Sequence, residues 1–234
     1  MVLLGTLVNG AAIVVGSLLG LVFHNIPERY KTTIMQALAL AVMLLGIQMG
    51  LASDQFLIVI GSLVIGGWIG ERIQLEDMLN RLGKWIEKRS GAGGSEGAVA
   101  KAFVTATLVY VVGAMAVLGA LDSGLRLDHN VLYTKSMLDG FTAVLFTATL
   151  GFGVAFSFIP VVLYQGSIAL LAGQIDQFVP VELREMFITE MTGTGGIMIL
   201  GIGLKLAGIL DIRVANLLPA IPVVGAIVTV IYLL

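Results

Sequence analysis

The chain has no cysteine among its 234 residues. That excludes disulfides, thiolate metal sites, haem attachment and cysteine nucleophiles. Charge is also scarce: Asp, Glu, Lys and Arg together make up 12%, about half of the 25% usual in soluble domains. The formal net charge of −2 is too small to recruit a nucleic acid. The histidines, His24 and His129, stand singly in loops with no second ligand at metal spacing, so no metal site is expected. No Gly-Lys-Ser/Thr and no HExxH occurs, which removes the Walker loop and the zincin helix. Neither a cofactor nor enzymatic activity is expected.

What is present is apolar. Hydrophobic residues make up 58% of the chain and the mean hydropathy is +1.01. A soluble protein of this size must cover itself with polar groups and could not hide that much apolar surface. Lipid removes the constraint, so the chain reads as an all-α polytopic membrane protein. A span needs about 20 mostly apolar residues. About eight segments qualify: 2–23, 33–51, 55–70, 101–121, 136–153, 155–173, 191–210 and 214–233. The third and fifth are short, and the tight junction of the fifth and sixth leaves room for a re-entrant segment. Residues 2–23 start without a basic residue and are expected to be a retained span rather than a secretory signal.

Residues 71–89 differ. Ile73, Leu75, Leu79, Leu82 and Ile86 recur near helical spacing among many charges, as in an amphipathic helix lying on a membrane surface. GAGGSEG at 91–97 then reads as a flexible linker. With the N-terminus outside, inside loops hold Arg29, Lys31, Arg72, Arg81, Lys84, Lys88, Arg89, Lys101, Lys205 and Arg213, and outside loops only Arg126, Lys135 and Arg184. Ten against three favours both termini outside a bacterial inner membrane, with the surface helix in the cytoplasm.

Self-comparison exposes a repeat. GAAIVVGSL at 10–18 matches GAMAVLGAL at 113–121, and residues 30–50 match 133–153, both at an offset of 103. His24-Asn25 recurs as His129-Asn130, and GSLVIGG at 61–67 loosely as GSIALLAG at 166–173. LGFG at 150–153 and IPVV at 159–162 echo as LGIG at 200–203 and IPVV at 221–224. The expected organisation is a three-helix repeat at 1–70, an amphipathic helix and linker at 71–100, a second three-helix repeat at 101–174, and a helical hairpin at 175–234. A unit with an odd number of spans must be inverted in its second copy, an arrangement associated with transporters.

Polar residues inside spans are costly and each asks for a reason. Asp139, whose repeat partner is Gln36, reads either as a cation or proton site or as half of an i,i+4 pair with Lys135. Glu190 precedes TGTGG at 192–196. Those residues read either as an interrupted helix offering Thr192, Thr194 and backbone groups to a cargo, or as tight packing with threonines bonded to their own helix. Thr142, Gln165, Gln48 and Asn9 complete the candidate binding residues. Gly16/Gly20, Gly46/Gly50 and Gly66/Gly70 mark close helix packing within the chain or in a homodimer.

GTLVNGAAIVVGSLLG (5–20), YQGSIALLAG (164–173), EMTGTGGIMILGIGLKL (190–206) and IRVANLLPA (212–220) resemble the bacterial membrane family called domain of unknown function 554. The resemblance covers essentially the whole chain. It implies a bacterial inner-membrane protein of transporter type and carries no catalytic residues with it. The expected function is a secondary transporter or channel for a small solute or ion, proton- or cation-coupled. The alternative is a non-transporting scaffold or sensor docking a cytoplasmic partner through residues 71–89. The bilayer, the solute and a second copy are the expected partners.

Overall fold

A computed structural model of the chain describes residues 1–22, 27–90 and 97–234, and their side chains except at 28, 31, 86, 87, 89 and 90. His24 and Asn25 of the repeat, and residues 91–96 of the expected linker, lie outside the described residues. Those described are overwhelmingly helical. In chain order the helices are α1 (Leu4–Val22), α2 (Glu28–Gly50), α3 (Phe56–Ile73), α4 (Leu75–Ser90), α5 (Ala98–Val111), α6 (Ala114–Leu125), α7 (Asn130–Leu150), α8 (Phe158–Phe178), α9 (Val181–Leu206) and α10 (Ala220–Leu233), with short 3-10 helices at Phe152–Ser157 and Val214–Leu217.

Among the described residues, six helical segments are long and apolar enough to cross a bilayer, or seven if α5 and α6 form one bent span. The six are α1, α2, α3, α8 with its preceding 3-10 helix, α9, and α10 with its preceding 3-10 helix. The difference from the eight expected lies in α7. It is 21 residues long, about 31 Å at 1.5 Å per residue, but Lys135 and Asp139 dilute its hydropathy. The segment at 101–121 is two helices meeting at a 62° bend. Gly113 at the break has φ +140°, a conformation that a Cβ would oppose.

Burial is inverted relative to a soluble protein. Leu44 (67% exposed) and Phe141 (68%) face outward, whereas Asn9, Gln165 and Glu190 are at most 1% exposed. Lipid solvates the first set and repels the second.

The chain forms two compact units, neither contiguous in sequence. The first comprises Met1–Ile34, Leu79–Val111 and Met115–Ile175. Its central feature is α1 packed along α7. An added Cβ at Gly16 would strike the Gly140 carbonyl, and one at Gly20 would meet Val144 and Thr147. Gly124 of α6 lies equally close to Ala169 and Ala172 of α8.

The second unit comprises Met35–Met78, Val112–Ala114 and Asp176–Leu234. In it Gly46 of α2 abuts Gly196 and Leu200 of α9, and Gly50 meets Ile197. Gly66 of α3 abuts Ala220, and Gly70 abuts Asn216. All three glycine pairs thus face other helices of the same chain, where their missing side chains let backbones approach.

Candidate functional site

Spacing explains how polar residues reach the interior of the first unit. On α7 the buried positions Leu132, Ser136, Asp139, Ala143 and Phe146 recur every three or four residues, one face of a helix. On α1 the corresponding face carries Thr6, Asn9, Ile13, Gly16 and Gly20. On α8 it carries Val161, Gln165, Ala169 and Ala172. Asn9, Asp139 and Gln165 meet where these faces converge.

The Asn9 Nδ2 donates to Asp139 Oδ2 at 3.0 Å and to Gln165 Oε1 at 3.3 Å. Lys135 Nζ spans the same carboxylate, 3.0 Å from Oδ1 and 2.9 Å from Oδ2. Lys135 is itself buried. The i,i+4 pair expected from the sequence therefore forms, and it forms inside the unit rather than on its surface. Breaking such a pair by deleting one partner strands the other charge, at about 3–5 kcal/mol.

The network is not closed. Asn9 Oδ1 and Gln165 Nε2 are buried without a hydrogen-bond partner, and so is the Thr6 hydroxyl one turn before Asn9. The Tyr110 hydroxyl is likewise unpartnered. Its ring packs on Phe146 at 6.3 Å, two turns along α7 from Asp139. Buried polar atoms are nearly always partnered in folded proteins, so such a group asks for an explanation.

Glu190 belongs to the second unit and does something different. Its Oε1 accepts from the backbone N–H of Asp54 (3.0 Å) and Gln55 (2.9 Å), and its Oε2 from Ser53 Oγ (2.5 Å). Those groups sit at the start of α3, whose N-cap residue Gln55 makes no side-chain capping bond. The carboxylate of α9 thus caps α3 from a distance, meeting orphan donors and the positive end of the helix dipole. The helix α9 runs through TGTGG unbroken. Thr192 bonds back to the Ile188 carbonyl, Gly193 abuts Ser53 and Gly196 abuts Gly50. Thr194 is fully buried with its hydroxyl unpartnered.

The other candidates lie apart. Thr142 donates to the Leu138 carbonyl of its own helix. Gln36 and Gln48 are exposed on α2. Lys205 bridges Glu76 (2.8 Å), Asp211 (3.1 Å) and the Ile212 carbonyl. Glu76 also receives the Ala215 N–H, so Lys205 helps tie the start of α4 to the 3-10 turn. Among the described residues no group of three acidic or histidine side chains could hold a metal ion. Tyr110 and Ser53 escaped sequence reasoning. Tyr110 is an ordinary aromatic in an apolar run, and Ser53 lies in a loop.

A buried ion-pair and amide network inside a bundle of lipid-length helices defines an integral membrane protein with a polar interior site. The chain belongs to the family described as "Protein of unknown function (DUF554)", whose model matches residues 4–229. It is 34% identical to the uncharacterized membrane protein YdfK of Bacillus subtilis over 233 residues, covering 97% of this chain and 96% of that one. It is 27% identical to the uncharacterized protein YqgA of Escherichia coli over 222 residues, 93% of each. No solved structure matches the chain.

Proposed function

We propose that this membrane protein is a secondary transporter or channel for a small solute or ion, with Asn9, Asp139 and Gln165 in its cargo or coupling site. One observation carries the reading. An ionisable pair and two amides occupy the interior of a lipid-facing bundle with donor and acceptor capacity left over. Such groups are costly in a membrane protein and mark cargo or proton paths. Two features support it. The sequence repeat has an odd number of helices, which calls for an inverted second copy. The 62° bend between α5 and α6 at Gly113 resembles the discontinuous helices of transporters. If all eight expected segments cross, the basic residues favour both termini outside an inner membrane.

The test is flux in proteoliposomes. Purified protein should move at least one member of a panel of ions and small metabolites, and Asp139→Asn should abolish the movement. No flux from any member, with no effect of a pH gradient, overturns the proposal. The scaffold reading keeps one supporting observation: Met78, Leu82 and Trp85 of α4 are exposed at i, i+4 and i+7 spacing. Replacing Met78, Leu82 and Trp85 together with serine, which spares the contacts of Glu71 and Glu76, should leave flux intact if transport is the function, and abolish the cellular phenotype if docking is.

A further inference from the structure

We infer that the site between α1, α7 and α8 takes a small uncharged solute through one acceptor and one donor, the acceptor meeting Gln165 Nε2 and the donor meeting Asn9 Oδ1. The inference rests on the transport reading and narrows it to a class of cargo.

Charge comes first. Lys135 and Asp139 neutralise each other at 2.9 Å. The charged residues of α5 and α8, Lys101 and Asp176, are exposed rather than buried with the pair. The helix α1 and the 3-10 helix at Phe152–Ser157 contain no ionisable residue. From α5 the buried phenol Tyr110 packs on Phe146 of α7, and α8 contributes Gln165. An arriving ion would sit in this buried place without a counter-charge, and desolvating an unpaired ion costs several kcal/mol. A neutral solute avoids that cost.

The polarity of the unfilled positions follows from the pair. A carboxylate clamped by an ammonium group only accepts hydrogen bonds. Asn9 must therefore turn its NH2 toward Asp139, which sends its Oδ1 the other way. The same NH2 reaches Gln165 Oε1, so Gln165 must turn its own NH2 outward. Asp139 thus fixes, through two amides, one free acceptor and one free donor, both on side chains with no solvent exposure. A primary amide or a comparable neutral group matches that pattern.

Packing is uneven around the site. At Gly16 and Gly20, α1 meets α7 so closely that an added Cβ would run into backbone. The seam between α1 and α8 is tight at Gly10, where an added Cβ would strike Val162, and loosens only beside Gln165. A Cβ on Gly166 would touch only Leu3 at 3.6 Å and Thr6 at 3.9 Å, ordinary contact distances, and the Thr6 hydroxyl there is unpartnered as well.

The experiment follows the side-chain NH2 resonances of Asn9 and Gln165 in the full-length protein in lipid nanodiscs, with acetamide, acetate and methylammonium as probes. Acetamide should shift both resonances and saturate at a concentration about tenfold or more below either ion, a margin of about 1.4 kcal/mol. Gly166→Ala fills the seam without a clash and should weaken acetamide about tenfold while leaving the Asn9 resonance of the free protein in place. An ion that saturates as readily as acetamide overturns the inference. So does a Gln165 resonance that no probe moves, which would assign the two atoms to ordered water. Flux of an ion that depends on Asp139, with no acetamide effect, leaves transport standing and removes this cargo class. Acetamide binding without flux of any solute does the reverse.

Discussion

Replacing Glu190 with alanine removes three hydrogen bonds from one end of α3. Two of the stranded donors are backbone N–H groups, of Asp54 and Gln55, and a backbone group cannot rotate to find another acceptor. Asp54 and Gln55 are exposed residues, so water can partly replace the lost acceptor, and at about 0.5–1.5 kcal/mol net per bond the pair together should cost about 1–3 kcal/mol. The Ser53 hydroxyl can turn elsewhere and adds little. Loss of negative charge at a helix N-terminus adds about 0.3–1 kcal/mol, up to about 2 in partly buried geometry.

Glu190→Gln separates these contributions. Its remaining carbonyl oxygen can still serve both backbone donors, because Oε1 alone accepts them now. Only the charge is lost, so Gln should cost about 2 kcal/mol at most. Reversible unfolding in mixed SDS micelles reads the stability differences. Amide hydrogen exchange at Asp54 and Gln55 reads the local effect: both should lose protection in the alanine variant and keep it in the glutamine variant. An alanine variant as stable as the parent, with both amides still protected, would refute tertiary capping as the role of Glu190.

Other outcomes follow from the packing. Lys135→Met should destabilise the protein by about 3–5 kcal/mol, and the double variant with Asp139→Asn should cost less than the two single changes added together; additive costs in the same unfolding assay would mean the pair is not coupled. Gly66→Ala drives a methyl into Ala220 and should cost about 1–3 kcal/mol. Gly173→Ala has nothing within 4 Å and should be neutral or stabilise by up to about 1 kcal/mol. Glu76→Ala strips both Lys205 and the Ala215 N–H of a partner. It should lower the thermal midpoint and expose the Ala215 amide to exchange.

Six of the eight expected spans, or seven with the bent α5–α6 pair, were legible because lipid demands apolar length, and length is a local property. The bend at Gly113 was not. Its repeat counterpart, Gly10, stands inside the unbroken α1, so the same residue in a similar run is straight in one place and broken in another. Surroundings, not propensity, decide between them. The Lys135–Asp139 pair was legible from its spacing of four. Asn9 and Gln165 could be suspected singly as polar residues in apolar runs. Their meeting with Asp139 depends on helix contacts 130 and 156 residues apart, which no periodicity encodes. Glu190 shows the same limit: sequence flagged its cost, whereas the groups that satisfy it lie 135 to 137 residues earlier.

That last separation has a consequence in time. A ribosome adding about 5–20 residues per second delivers Glu190 about 7–27 s after Ser53, Asp54 and Gln55 have emerged. Throughout that interval α3 exists without its cap, and α1 likewise waits for the α7 carboxylate that orients Asn9. Neither unit can be finished while the chain is still short. A nascent protein stalled before residue 190 therefore presents the cell with inserted but unlatched helices, the form most open to membrane quality-control proteases.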